Sequence, residues 1–586
     1  MLLGALCWLS TGMAAQAAGD GARYDFTNGI PADFTLIDAD GNTPSADIAH
    51  YGFSVGTPWV AYYVESEQNH VAASTSWYAQ SGTSDDWMIL PAVSVETADA
   101  VVAWRARATD ANFSDGYAVY ISEGGDAIED FDKAHPLFTT AAESAEWTYH
   151  SISLDGYVGK TVRIAFVNNS TDCSLLYIDD VFVGTPQPAR VISGMRPIVK
   201  PTDEIIVQGT VTTDMAEPVK GFTVGYEWDG KTGQVEFNDT ELVPGESVPF
   251  SISTGSYIEE GGSATFTIWA EAGGRRSQTE ATVTSRVNKV VAEELTGSWC
   301  GWCVRGIVAL EETKKAHPEQ FIAIAVHGND FLESPEYTDY IAGLIGSSGY
   351  PNSVVNRDRN TAGDPEYIPV RFEQKAGAPI EGYVTLETGG EDGLYEATAQ
   401  VALNSNGLDG RYRMAYAIVE NDVYEEGNSN YVQHNSYAGG ANGEMGGYED
   451  LSEYVTDFHF QDVARGTIGD PSGIEGSLPL RMDAGREYVT TESFTLPETV
   501  LNVDNVYIVA MLIDTRSSGI VNADMAKLTA DDPAGIAGPG VNTEPERVEI
   551  YTVDGRRVAE GSLVPGIYIR RTVSGGKATT EKFIAK

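Results

Sequence analysis

The sequence predicts a secreted, multidomain protein that is mostly β-structure, with one α/β domain in the middle of the chain. Glycine is frequent, with 62 residues among 586, and long helical patterns are few. Short alternating strands bounded by Gly, Asp and Asn recur along most of the chain. The stretch 289–326 differs, because it places a CxxC pair and a helical pattern between two continuous apolar runs.

Composition excludes one class of partner. The formal net charge is −48, so the phosphates of a nucleic acid would be repelled and we expect no nucleic-acid binding. Such acidity suits an extracellular protein and supplies carboxylates for calcium. A chain of this length predicts several domains, each with its own core. We expect no organic cofactor.

The first 18 residues predict export. Residues 1–18 are apolar and end in small residues, which is typical of a signal peptide cleaved near Ala15-Gln16-Ala17, although the usual basic segment is missing. No later stretch is long and apolar enough to span a bilayer. Removal of the signal leaves Cys173, Cys300 and Cys303. This odd number argues against a framework of structural disulfides, and we place the protein at the cell surface or outside the cell.

The stretch Trp299-Cys300-Gly301-Trp302-Cys303 carries the clearest chemistry. Two cysteines at this spacing can close a small disulfide when the second lies one helical turn after the first. The first then sits at a helix N-terminus, where the dipole stabilises a thiolate. Half of a zinc site is the alternative, but no second CxxC or Cys/His pair follows.

The order strand, CxxC, helix and strand resembles thioredoxins over residues 289–375. The resemblance implies that Cys300 is the nucleophile, Cys303 the resolving thiol and Glu294, six residues before Cys300, the buried proton shuttle. Glu293 competes for that role, because pleat alternation points only one of the two inward. Gly349-Tyr350-Pro351 is where this fold keeps a cis-proline that holds the client strand, although a plain edge-strand proline is the alternative.

Residues 20–185 resemble the cleaved-adhesin and MAM-like jelly rolls of bacterial surface proteins. The resemblance rests on the following phrases, which occur in the family's order: YDFTNG at 24–29, IDADG at 37–41, DWMILP at 86–91, YAVYIS at 117–122 and YIDDV at 177–181. It implies adhesion, with a glycan or an extracellular host protein as ligand.

The same resemblance implies structural calcium in the jelly roll. We expect Asp25, Asp38, Asp40 and Asp180 to be its ligands. A solvated turn at 38–41 is the alternative, since Asp and Gly also favour turns. Asp180 competes with Asp179, because only one of two consecutive strand residues can point into a shared site. We expect the tryptophans of this segment, among them Trp77 and Trp104, to belong to the core.

Two further β-domains are predicted from period-2 patterns. Residues 189–288 fit an immunoglobulin-like spacer, and residues 378–529 fit a second β-sandwich with a long loop that carries Gln433-His434-Asn435. The order of EELTGSWCGWC, GYP and this sandwich resembles the Omp-twenty-eight-like outer-membrane family over 289–528. A lone loop histidine such as His434 is usually only solvated.

The end of the chain predicts a sorting signal. Residues 530–547 are a Gly/Pro/Ala/Asp linker. Residues 548–586, with Asp554-Gly555 as a hairpin turn, resemble the C-terminal sorting domain of type IX secretion, which implies attachment to the outer-membrane surface. A small structural β-domain is the alternative.

Two functional hypotheses follow. The first is surface binding by the jelly roll beside a thiol–disulfide oxidoreductase site whose partner is a protein thiol or disulfide. The second is a non-enzymatic adhesin, or an outer-membrane structural protein, in which Cys300 and Cys303 form only a structural disulfide.

Overall fold

The structure is a computed structural model that describes residues 21–529, apart from 68, 348 and 392, together with the strands between 547 and 585. The predicted signal peptide, all but the last residue of the predicted linker, and the Asp554-Gly555 turn lie outside the described residues. Within them the chain is mostly β-structure with three α-helices: α1 (Val304–Ala316), α2 (Pro335–Ile345) and α3 (Ile368–Gly377). None of these described helices has the length and apolarity to cross a bilayer.

The N-terminal segment is a sandwich of two antiparallel sheets, in the orders β10-β7-β12-β4-β3 and β2-β5-β11-β8-β9. Alternating apolar residues from both sheets meet in one cluster that includes the buried Trp104 and Phe166. Trp77 is 40% exposed, so its predicted place in the core is wrong. The strands β1–β12 are Ala22–Tyr24, Thr35–Asp38, Val60–Val64, Asn69–Thr75, Asp86–Ile89, Val93–Ser94, Val101–Ala108, Tyr117–Ser122, Phe138–Thr140, Thr148–Ser153, Thr161–Asn168 and Leu175–Gly184.

The next eight strands form a second sandwich, with sheets in the orders β13-β15-β18 and β14-β20-β19-β16-β17. Its core is a separate cluster in which Phe222, Val224 and Phe266 are buried. The strands β13–β20 are Arg190–Ser193, Ile198–Val199, Ile206–Thr212, Val219–Trp228, Lys231–Leu242, Val248–Ser253, Ser263–Ala272 and Arg275–Ser285.

A buried aspartate joins these two sandwiches. The Asp214 carboxylate accepts two hydrogen bonds from Arg23, at 2.9 and 2.6 Å, and one from Nε of Arg190 at 3.0 Å. Its backbone carbonyl accepts a hydrogen bond from the Tyr149 hydroxyl. Arg23 and Tyr149 belong to the first sandwich, so one carboxylate connects both units through charge-assisted bonds.

The third unit is a seven-stranded sheet in the order β23-β21-β22-β29-β26-β31-β32. Helices α1 and α3 pack on one face, and α2 packs on the other. A three-stranded sheet, β24-β25-β30, covers the second half of the large sheet. The strands β21–β32 are Val290–Thr296, Phe321–His327, Asn352–Val355, Gly382–Glu391, Leu394–Leu403, Tyr412–Glu420, Val432–His434, Tyr454–Thr456, Val463–Ile468, Tyr488–Phe494, Val506–Asp514 and Gly519–Lys527.

The predicted boundary between residues 375 and 378 falls inside this unit. Ala325 of β22 pairs in parallel with Val463 of β29, which joins the two predicted domains edge to edge. Ile324 and Met511 then share one buried cluster, although they come from different sides of that boundary. The two segments therefore form one sheet with a common core.

The last four strands form an antiparallel sheet in the order β34-β33-β35-β36, from residues that sequence analysis assigns to a sorting domain. The strands β33–β36 are Arg547–Thr552, Arg557–Val558, Gly566–Ser574 and Lys577–Ala585.

The Asp214 contact generates a first prediction. Asp214→Ala removes the acceptor that Arg23 and Arg190 share, so the two N-terminal sandwiches should separate more readily and residues 184–190 between them should become sensitive to protease. We expect a loss of about 1.5–3 kcal/mol in the stability of the joined pair, because two partly exposed arginines lose their hydrogen bonds to a buried carboxylate. Limited proteolysis with mass spectrometry measures the effect.

Asp239→Ala is the matched control, since Asp239 is exposed on β17. Equal cleavage rates for the two variants would contradict the bridging role of Asp214.

Candidate thiol–disulfide site and acidic cluster

The CxxC motif lies at the end of β21, where a short 3-10 turn (Gly301–Cys303) leads into α1. Cys300 and Cys303 form a disulfide. Cys300 caps the turn with its backbone in an extended conformation, and Cys303 caps α1. Only 5% of the Cys300 surface is exposed and Cys303 is fully buried. Cys300 therefore lies one 3-10 turn before α1, near the helix N-terminus, where a thiolate is stabilised.

Strand β21 carries two consecutive glutamates, and both are fully buried. Their side chains point to opposite faces of the sheet. Glu293 forms an ion pair with Arg357 at 2.8 Å and accepts a hydrogen bond from the Tyr337 hydroxyl at 2.6 Å. The expectation that only one of the two carboxylates points inward is therefore wrong, because the sheet is covered on both faces and both are buried.

Glu294 faces α1, and neither of its carboxylate oxygens has a hydrogen-bond partner of ordinary geometry within the described structure. The Thr296 side chain and the charge of Arg305 favour the ionised form only weakly against burial. Burial raises its pKa well above the usual range of a glutamate. Gly306 makes the arrangement sterically possible, because a Cβ atom at that position would collide with the Glu294 carboxylate. Gly306 follows Cys303 by three residues and so lies on the same helix face. The carboxyl group is thus placed beside the helix start that holds the disulfide.

Pro351 opens β23, and the Tyr350–Pro351 peptide bond is cis, as the sequence predicts. Strand β23 pairs with β21 up to Leu295, which brings Pro351 to the strand end that precedes the CxxC motif. The Tyr350 ring packs edge-on against the Trp299 indole at 5.4 Å. The indole Nε1–H donates to the Gly328 carbonyl at 2.9 Å.

Residues 432–456, which we name the ribbon, cover the other side of the motif. Its strands β27 and β28 pair with each other. The His434 amide donates to the Ser298 carbonyl at 2.8 Å, and the Ser436 amide donates to the Gly301 carbonyl at 3.0 Å. The Gln433 side chain donates to the Cys300 carbonyl at 3.1 Å.

Sequence reasoning missed the ribbon and treated His434 as a solvated loop residue. Nδ1 of His434 lies 3.1 Å from the Trp299 carbonyl oxygen, and its ring stacks on Tyr454. The ribbon contacts mostly backbone carbonyls of the motif, and such contacts do not depend on residue type, so the sequence does not reveal them. The Gln433-His434-Asn435 triplet was the one sequence feature that could have pointed to the ribbon.

In the jelly roll, the predicted calcium ligands separate into two places. Asp38 and Asp40 meet Asp86, a residue that sequence analysis did not select, with carboxylate oxygens within 4.8 Å of one another. Asp38 and Asp86 are opposite each other in the β2–β5 register. Burial and the neighbouring Asp40 raise the pKa of Asp86 to about 7. Three converging carboxylates with one of them buried suit a hard cation such as calcium.

Asp25 and Asp180 do not join this group among the described residues. Both line a cleft between the first two sandwiches, where Nη1 of Arg105 lies 3.4 Å from the Asp180 carboxylate. The Asp25 carboxylate accepts a hydrogen bond from the Thr27 amide. Asp179 is buried and accepts a hydrogen bond from Asn69 at 2.7 Å. All four predicted aspartates occur in sequence phrases that resemble the same family. The strands nevertheless bring Asp25 and Asp180 to a different part of the sandwich from Asp38 and Asp40.

The fold and the family comparison define the N-terminal segment as an adhesin-like jelly roll. The family described as Cleaved Adhesin Domain matches residues 23–183. No curated protein matches the chain.

Three solved structures from one organism are similar to parts of the chain. HBP35 of Porphyromonas gingivalis has 19% identity and a TM-score of 0.32, with 51% of this chain and 99% of that chain covered. The K3 and K1 cleaved adhesin domains of Lys-gingipain from Porphyromonas gingivalis W83 have 21% and 23% identity. Each covers 28% of this chain and 99% of its own, with a TM-score of 0.23.

The buried Glu294 carboxyl on β21 generates a second prediction. In the oxidised protein, Glu294→Gln should become more stable relative to the parent chain as pH rises above the usual glutamate range of about 4.3. The folded parent binds a proton at Glu294 that the unfolded chain has released, so its stability falls with pH until the raised folded pKa is passed. Differential scanning calorimetry between acidic and mildly alkaline pH measures the difference between the two chains.

Glu293→Gln is the matched control on the same strand. It leaves the buried Arg357 guanidinium without its counter-charge, so it should lose about 3–5 kcal/mol at neutral pH. A stability difference between Glu294→Gln and the parent that stays constant with pH would contradict the raised pKa of Glu294.

Proposed function

We propose that the chain is an exported cell-surface protein that combines adhesion by its jelly roll with a thioredoxin-like thiol–disulfide oxidoreductase site at Cys300 and Cys303. The family match over 23–183 supports the adhesion role. The buried Glu294 carboxyl supports the redox role. A buried polar group without a partner costs about 1–3 kcal/mol, and a purely structural disulfide has no use for one. A proton shuttle does.

The proposed reaction uses the residues in sequence. In the reduced protein, the Cys300 thiolate attacks a client disulfide, forms a mixed disulfide and releases one client sulfur as a thiolate. The Glu294 carboxylate then takes the proton from Cys303. The Cys303 thiolate attacks Sγ of Cys300, closes the intramolecular disulfide and releases the second client thiol. The client is reduced by two electrons, the protein is oxidised by two, and an external dithiol restores the starting state.

A specific observation also favours the second hypothesis, in which the disulfide is structural. Cys303 is fully buried, Cys300 is nearly so, and the ribbon holds the backbone of the motif through Ser298 and Gly301. In that case the ribbon and the disulfide together lock the start of α1. Thiol reactivity separates the two hypotheses.

We also propose that calcium bound by Asp38, Asp40 and Asp86 stabilises the jelly roll. The cation would neutralise the like charges that raise the pKa of Asp86 and would fasten the turn after β2 to the start of β5. The β-sheet between 547 and 585 is proposed to be the sorting tail that attaches the protein to the outer-membrane surface.

The redox proposal predicts the order in which thiols react. After reduction, an alkylating reagent near neutral pH should label Cys300 at least about tenfold faster than Cys173, since a helix N-terminus lowers a thiol pKa. Burial and Asp115 raise the pKa of the partly exposed Cys173 thiol. Cys303 should react last because it is fully buried. Mass spectrometry of the alkylated peptides measures the three rates.

Cys303→Ser should trap a mixed disulfide between Cys300 and a client, because the resolving thiol is absent. Cys173→Ser, which leaves the motif intact, is the control and should trap nothing. Equal and slow labelling of all three thiols with no trapped species would favour the structural disulfide.

The calcium proposal predicts a selective response to chelation. A calcium chelator should lower the melting temperature of the transition that belongs to the jelly roll. In Asp86→Asn this calcium dependence should be lost, whereas Asp25→Asn should keep it, because Asp25 lies outside the cluster. Calorimetry with and without calcium measures both. A melting curve of the parent chain that ignores calcium and chelator would remove the claim.

A further inference from the structure

The surface around the disulfide is rich in exposed aromatic rings. Trp299 and Trp302, on either side of Cys300, are 47% and 46% exposed, and Tyr454 of the ribbon is 57% exposed. The Trp302 ring packs edge-on against Tyr437 of the ribbon at 5.6 Å. These rings belong to the CxxC turn and the ribbon, so together they form one aromatic rim about the nearly buried Cys300. Exposed apolar surface of this kind marks an interaction site.

The two segments that border the rim carry one sign of charge. Residues 421–461, which contain the ribbon, hold eight aspartates and glutamates and no lysine or arginine. Residues 327–356, which contain the cis-proline loop, hold four carboxylates and again no lysine or arginine. The motif itself, 298–304, is uncharged. These two segments therefore offer a client mostly negative charge, and their only basic side chains are His327, His434 and His459. Arg305, just after the motif, is paired with Asp364 at 2.7 Å.

Individual carboxylates reach the rim. Oε1 of Glu453 lies 3.7 Å from Nε2 of His434, and two thirds of the Glu453 side chain is exposed. On the proline side, Tyr350 has a pKa raised by burial and by the carboxylates of Glu333, Asp330 and Asp339. Asp330 is itself buried and paired with His327 at 2.8 Å, and it accepts a hydrogen bond from the Ser298 amide at 2.8 Å. Glu333 and Asp339 are therefore the carboxylates that a client could meet on this side. Negative charge thus lies on both sides of Cys300.

We infer that this rim recognises an extended, lysine- or arginine-rich segment of a client polypeptide next to the client's cysteine. The inference rests on the redox function proposed above and adds the class of client. Cations on the client would approach the carboxylates of the ribbon and of the proline loop. Guanidinium and ammonium groups also bind the faces of exposed indoles, so the aromatic and acidic parts of the rim suit the same partner. Apolar rings alone would not discriminate by charge.

The experiment compares charged versions of one substrate. Short synthetic peptides with a single cysteine, activated as the mixed disulfide with thionitrobenzoate, are made with lysine, serine or glutamate on both sides of that cysteine. They are added to the reduced full chain carrying Cys173→Ser and Cys303→Ser. Cys300 then forms a disulfide with the peptide, and thionitrobenzoate leaves as a coloured thiolate. The same comparison on reduced Cys173→Ser protein that retains Cys303 makes the test independent of the second substitution.

The lysine peptide should react about tenfold faster than the glutamate peptide, or more, at low ionic strength, with the serine peptide between them. The preference should shrink as salt is added, because exposed charges are screened. The double change Glu333→Gln with Glu453→Gln should reduce it several-fold. The matched control is Glu236→Gln with Asp239→Asn, two exposed residues of β17 in the second sandwich, which should leave the preference intact.

Dithiodipyridine, an uncharged disulfide, distinguishes failure of the client inference from failure of the proposed redox function. Reaction with this reagent, combined with equal rates for the lysine and glutamate peptides, would overturn the client inference and leave the redox function in place. Failure of Cys300 to react with any of these disulfides would overturn both.

Discussion

Strand β21 imposes the constraint on which the third unit depends. It lies inside a sheet that is covered on both faces, and it carries two adjacent glutamates that are both fully buried. Burying a carboxylate is costly unless a cation or hydrogen-bond donors compensate for lost water. Arg357 and Tyr337 provide that compensation on one face for Glu293. On the other face Glu294 is compensated only weakly, by the Thr296 side chain and the charge of Arg305, so its burial has a free-energy cost that the rest of the unit must offset.

The size of the sheet offsets the free-energy cost of burying Glu294. Because β22 pairs with β29, the strands around the motif continue into β26 and β31, which are apolar on both faces. The apolar burial of a large common core therefore compensates for the cost of one buried carboxyl. The same pairing has a functional consequence. The ribbon lies in the chain between β26 and β29 of this sheet, so the pairing of β22 with β29 brings residues near 434 to a motif near 300.

Local patterns predicted the local structure well. The apolar runs on either side of the motif are β21 and β22, the helical spacing after Cys303 is α1, and the proline after Tyr350 has a cis bond. Patterns did not predict how the segments associate. The run from Met414 to Val419 is apolar at every position, which is the signature of a strand buried on both faces. If this strand belonged to an isolated sandwich, only one of its faces would be covered. In the structure the α/β segment covers the other face.

The two candidate sites also differ in whether local sequence or strand pairing brings their residues together. Cys300, Cys303 and Glu294 lie within one strand-and-turn segment, so spacing along the chain was enough to associate them. The acidic cluster requires β2 to pair with β5, and Asp86 enters it only through that register. Asp25 and Asp180 looked equivalent in sequence because each occurs in a family phrase. A phrase preserves residue type and order, but it does not say to which end of a sandwich a strand carries its carboxylate.

Two glycines show how closely the disulfide is enclosed. A side chain at Gly301 would collide with Ser436 of the ribbon, and one at Gly306 would collide with the Glu294 carboxylate. Gly306 lies in the first turns of α1, where glycine costs about 1 kcal/mol relative to alanine. Alanine would make the helix more stable at this position, but its Cβ atom would displace the buried carboxyl. The helix start is therefore shaped on one side by a proton-binding group and on the other by the ribbon. The ribbon suits either role of the disulfide, whereas the buried Glu294 carboxyl has a use only in the redox proposal.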